Sequence, residues 1–127
     1  MSNWTDNDLT NIANATELEL ASRRRNGALR PYTTMWVVRV GDDLYIRSAN
    51  GVNGRWYSRA KASGAGRIRA GGIERDVVFD EAADDVHAEI DSAYWSKYGR
   101  YGESIVGTVT GPEREDVTIK LVPAGTS

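Results

Sequence analysis

Arginines, a serine and glycines crowd one stretch of this chain. "RSANGVNGRWYSRA" holds Arg47, Ser48, Gly51, Arg55 and Arg59 around a Trp56–Tyr57 pair. An arginine presents a planar fork of N–H donors that matches a phosphate. A glycine lets backbone N–H groups approach an anion closely. Arg55 and Arg59, four residues apart, share one face of a helix. Three occupants fit the stretch: a phosphate-bearing ligand, a nucleic acid, or none, with Trp56 and Tyr57 simply anchoring a helix to the core.

Other chemistries lack their residues. The chain has no cysteine and a single histidine, His87. Thiolate and histidine-cluster metal sites are therefore excluded, as is a disulfide framework, and no metal is expected. A Ser-His-Asp triad would need His87, and no nucleophile-elbow motif accompanies it. His87 reads as a solvated or helix-packed side chain. The usual glycine-rich nucleotide loops are missing. The acids between Asp80 and Asp91 read as compensation for a helix dipole rather than as hydrolytic pairs. The sequence nominates no catalytic residue. Such a protein either binds something or borrows a cofactor's chemistry.

The charges are segregated. Of 16 Lys and Arg residues, 12 lie between Arg23 and Arg75, opposed there only by Asp42, Asp43 and Glu74. From Asp76 to Asp91 there are seven acids and no base. Either the two blocks pair on the folded surface or the basic half holds an anion. The 127 residues suit one domain, taken as 1–127, with 40% hydrophobic residues. The polar N-terminus is no signal peptide, and no apolar run is long enough to span a membrane. A cytoplasmic protein is expected.

The elements that position these groups follow from periodicity. Thr5 and Asp8 open a short helix with Leu9 and Ile12 on its apolar face. Strands are expected over Glu17–Ser22, Tyr32–Val40 and Leu44–Ser48, the first two joined by a turn at Asn26-Gly27. Leu44 and Ile46 point one way, Tyr45 and Arg47 the other. A short helix spans Arg55 to Gly64, which stops it. A hairpin then turns at Gly71-Gly72 and sets Ala70 opposite Ile73, Arg69 opposite Glu74 and Arg67 opposite Asp76. Arg67 and Arg69 are thereby paired. Arg75 falls on the apolar face with Ile68, Ile73, Val77 and Phe79, where a cation needs a partner, so it is a ligand or ion-pair candidate. A long helix is expected over Asp80–Gly99 and a last strand over Asp116–Pro123. Hairpins with few helices favour a small α+β antiparallel barrel.

Two segments carry a resemblance. "LASRRRNGALRPYTTMWVV" and "RSANGVNGRWYSRAKASGAGRIRAGG" resemble the paired strands and the Trp-Tyr helix of deazaflavin-dependent nitroreductase-like proteins. Arg24 or Arg25, Gly27 and Arg30 fall near one signature of that family, and Ser48, Gly51, Trp56 and Tyr57 near another. The phrases "RRRNGALRP", "WVVRVGDDLYIRSANG", "GRIRAGGIERDV" and "YWSKYGRY" resemble, over nearly the whole chain, an uncharacterised bacterial family known as domain of unknown function 2255. The resemblance implies a split β-barrel of the flavin-binding, pyridoxamine-phosphate-oxidase type, and a homodimer. It implies an FMN or deazaflavin cofactor and nitroreductase-like oxidoreductase chemistry, with Arg30, Thr34 and Trp36 joining the stretch from Arg47 to Arg59 as binding residues. The alternative is a non-catalytic dimeric module for a small anion or single-stranded nucleic acid. The pI near 5.4 weighs against nucleic acid.

Overall fold

The computed structural model describes residues 4–49 and 55–124. In chain order the elements are α1 (Asp6–Asn14), β1 (Leu18–Ser22), β2 (Thr33–Met35), β3 (Val38–Val40), β4 (Asp43–Arg47) and α2 (Arg55–Ser63). After them come β5 (Ala65–Ala70), β6 (Ile73–Glu81), α3 (His87–Tyr98), α4 (Glu103–Val106) and β7 (Thr118–Pro123). The seven strands form one antiparallel sheet in the order β2-β1-β5-β6-β7-β4-β3. With the helices it makes the expected α+β split barrel.

The expected strand Tyr32–Val40 is two strands. β2 pairs with β1 at one end of the sheet and β3 with β4 at the other. Only Trp36 and Val37 separate them, and three peptide units reach at most about 11 Å. The sheet must therefore curl until its two edges meet at this seam. A strand changing partners strands its own backbone groups, and a buried unpaired amide or carbonyl is costly. Val37 is fully buried. Its N–H donates to the Tyr98 hydroxyl at 3.2 Å, and its carbonyl accepts from Lys97 Nζ at 2.8 Å. Tyr98 in turn reaches the Thr16 carbonyl at 2.7 Å. Adjacent residues of α3 thus close the seam.

Two apolar clusters follow from strand alternation. Leu18, Leu20, Leu44, Ile46, Ile68 and Leu121 fill the larger one together with Leu9 and Ile12 of α1 and Tyr57 and Ala60 of α2. Val38 and Tyr45 point the other way, beneath Ile90, Tyr94 and Tyr98 of α3. β4 is therefore covered on both faces.

Local chemistry accounts for the turns. Gly71 and Gly72 both take positive φ, 56° and 80°, as a two-residue hairpin loop requires. The register beyond it is the expected one. The first hairpin departs from expectation, because Asn26 has no positive φ and Gly27 alone does. Arg24 N–H donates to the Ala28 carbonyl at 2.7 Å and Gly27 N–H to the Arg24 carbonyl at 2.9 Å, so the loop has three residues and ends on its glycine.

Two boundaries also move. β6 runs on to Glu81, since Asp80 and Glu81 pair with Lys120 and Ile119 of β7, and α3 starts only at His87. Of the acids assigned to its first turn, Glu89 alone stands there. The last strand begins at Thr118, after a 3-10 turn over Pro112–Val117.

Candidate functional site

The acidic block neutralises much of the basic one. Asp76 bridges Arg23 at 3.0 Å and Arg67 at 2.9 Å. The Arg67 hydrogen bond holds the Asp76 carboxyl below its ordinary range. Glu81 lies 3.7 Å from Lys61. Arg69 reaches Glu19 of β1 at 3.3 Å rather than its cross-strand neighbour Glu74, which Arg67 approaches diagonally at 3.9 Å. Arg75 has the partner its apolar face demanded: Asp8 of α1 accepts from its Nε and one terminal nitrogen at 3.2 and 3.0 Å.

Arg47 is not open to a ligand among the described residues. Its side chain is fully buried and pairs with Asp91. It also donates to Thr118 Oγ1 at 2.8 Å and the Val109 carbonyl at 3.0 Å, and lies 3.2 Å from His87 Nδ1. An arginine can only donate, so this His87 nitrogen acts as an acceptor. The reason is the second covered face of β4: α3 lies over the side expected to look outward. Ser48 is buried at the end of the same strand.

Arg100 and Arg114 meet a tyrosine hydroxyl and backbone carbonyls, and four further arginines have no acidic partner among the described residues: Arg24, Arg25, Arg30 and Arg59. They meet in one open cleft of about 590 Å³, which Arg23 and Ser58 also line. Its two walls come from distant parts of the chain. The β1–β2 hairpin supplies Arg23, Arg24, Arg25 and Arg30, and α2 supplies Arg59 and Ser58. The hairpin wall is fixed by its own bonds. Arg23 Nη1 donates to the Gly27 carbonyl at 2.8 Å, and the Arg30 and Arg23 N–H groups donate to the Ser22 and Ala65 carbonyls at 2.9 and 3.0 Å. The backbone of such a wall is set, and its arginines can present bidentate forks to a phosphate.

Of the residues nominated from sequence, the cleft unites Arg30 and Arg59. Gly51 and the Arg55 side chain lie outside the described residues. Trp56 packs against the large core cluster, and Tyr57 is buried with its hydroxyl donating to the Asp116 carbonyl at 2.8 Å. Both act as anchors for α2. Thr34 lines a separate recess with Glu17, Glu19 and Arg69. Trp36 stacks on Tyr98, with ring centroids 4.0 Å apart and planes at 5°. Thr34, Trp36, Arg47 and Arg75 are thus not gathered at the cleft.

Sequence reasoning had not placed Arg23 or Ser58 at a site. The run of three arginines before Asn26-Gly27 was the available signal. Among the described residues the cleft lining contains no aromatic side chain. What converges there suits an anionic group, and a planar ring would have to lie beyond it.

Residues 8–121 match the family described as "Uncharacterized protein conserved in bacteria (DUF2255)". No curated protein matches the chain. Among solved structures, the fold is similar to an F420 reductase at 16% identity and TM-score 0.59, covering 93% of this chain and 94% of that one. It is similar to a FAD-binding protein from Mesorhizobium loti at 13% identity and TM-score 0.59, covering 96% and 91%. It is also similar to the heme storage protein HutZ from Vibrio cholerae at 13% identity and TM-score 0.61, covering 92% and 87%. Likeness at these identities shows the shared barrel.

Proposed function

Because the chain belongs to the DUF2255 family, whose description names no activity, we propose its function from its own cleft: a split-barrel protein that holds a flavin or deazaflavin cofactor by the phosphate. The observation that carries this reading is the convergence of Arg24, Arg25, Arg30 and Arg59 without acidic partners among the described residues. Unpaired cations gathered on two walls are self-repelling and are relieved by an anion. The names of the F420 reductase and the FAD-binding protein support that class of ligand. The heme storage protein names the competing cofactor, whose propionate carboxylates would also pair with arginines.

The cofactor, when bound, supplies hydride transfer, and the protein would serve as an oxidoreductase of the nitroreductase-like type. The chain's own part is to bind and orient. Arg30 and Arg59 face the phosphate from opposite walls, and Arg23, tied to Asp76 and Gly27, fixes the hairpin between them. We further propose a homodimer, since Trp95, Tyr101 and Ile105 leave 39–48% of their surface exposed on the α3–α4 side.

The test is a titration of purified protein with FMN and with deazaflavin, read by absorbance and native mass spectrometry. Arg30→Ala with Arg59→Ala should weaken binding at least about tenfold, because each removes a charge-assisted hydrogen bond, without lowering the melting temperature. Binding of neither cofactor, or an unchanged affinity in the double variant, would sink the reading. Heme in place of both would redirect it.

A further inference from the structure

The cleft carries more charge than one phosphate calls for. A phosphate monoester brings roughly −1.5 to −2 at neutral pH. Against it stand four arginines without acidic partners among the described residues, and a fifth, Arg23, shared with Asp76. One phosphate would leave about two cations uncompensated in a shared cleft, where like charges repel. Nor are the cations on one side: Arg24 and Arg25 sit on the hairpin loop and Arg59 across from them on α2.

We infer that the cleft takes a diphosphate: two adjacent phosphoryl groups, Arg24 and Arg25 of the hairpin loop holding one and Arg59 with Arg30 the other. The inference rests on the reading of this cleft as the anion site and gives its ligand a terminal diphosphate in place of the single phosphate of FMN. The two phosphoryl groups together bring about −3, which matches four arginines better than a monoester does. Single-stranded nucleic acid also carries successive phosphates, but its binding sites stack bases on aromatic rings. Among the described residues no aromatic side chain lines this cleft. Of those nearby in sequence, Trp56 and Tyr57 are packed against the core and Tyr32 lies under the Arg69 guanidinium.

Calorimetric titration at low ionic strength with inorganic phosphate, pyrophosphate and an oligothymidylate tests the assignment. Pyrophosphate should bind at least about tenfold tighter than phosphate, since it engages further charge-assisted contacts. Arg24→Ala with Arg25→Ala should erase that advantage, bringing pyrophosphate down to the affinity of phosphate, with the melting temperature close to wild type. Both arginines are exposed, so the variant folds. Equal affinities for phosphate and pyrophosphate overturn the diphosphate and leave the cofactor reading standing. Pyrophosphate binding with no affinity for FMN or deazaflavin does the reverse. An oligothymidylate that outcompetes pyrophosphate overturns both.

Discussion

Arg47 and Arg59 are the same residue type with opposite fates, and the difference lies in what folds over them. Arg47 meets Asp91, 44 positions away, and no local rule connects those two residues. Arg67 and Asp76 were legible because a two-residue turn fixes their register. Lys97 makes a prediction at this scale. It is half-buried against Tyr98, and burial pulls its amine down to about 8. A lysine depressed in the folded state binds fewer protons there than when unfolded, between about pH 8 and its ordinary value of 10.5. Stability on its account therefore rises with pH across that window. Above it the sign reverses, because burial raises the Tyr45 and Tyr98 phenols to about 12 and the unfolded chain loses those protons first. Thermal melts should show wild type gaining on Lys97→Met as pH rises from about 8 to 9.5. A pH-independent difference would mean that Lys97 titrates normally.

Among the elements, those set by local pattern were readable: α1 with its Thr5 cap, α2 ending at Gly64, and the β5–β6 hairpin. The split of Thr33–Val40 was not, since its side chains continue without interruption and only the choice of partner strands divides it. The start of α3 was misplaced for a related reason. Acids at Asp80 and Glu81 look like a helix's first turn, yet pairing with β7 keeps them extended. Gly66 shows how pairing constrains an element. A Cβ there would lie 2.1 Å from the Ala21 carbonyl oxygen and 2.9 Å from the Phe79 ring. Gly66→Ala must therefore push β1 from β5. The cost should be about 1–3 kcal/mol, as for overpacking elsewhere, seen as a lower denaturation midpoint. Because Ser22, its partner, leads into the arginine hairpin, amide exchange at Arg23 and Arg30 should also quicken. An unaltered midpoint would show that the strands yield at no cost.

For the whole molecule, the fold class was legible and the site only in part. Charge segregation pointed to an anion held by the basic half, but which arginines remain unpaired depends on every ion pair the fold makes elsewhere. The proposed homodimer has its own test. Light scattering of the eluted protein should give about twice 14.0 kDa, and Trp95→Ser with Ile105→Ser should return it to one chain's mass. A monomer at all concentrations ends that proposal.

The seam at Trp36–Val37 carries a last consequence. Both borders of the sheet belong to a single run of chain, so the barrel is hooped by a covalent bond, whereas its other strand contacts are hydrogen-bonded. Permuting the chain so that new termini open between these two residues would leave every ladder intact and remove only the hoop. Tyr98 and Lys97 would then be the clasp, and the permuted protein would measure how firmly these side chains and the core beneath them keep a ribbon rolled.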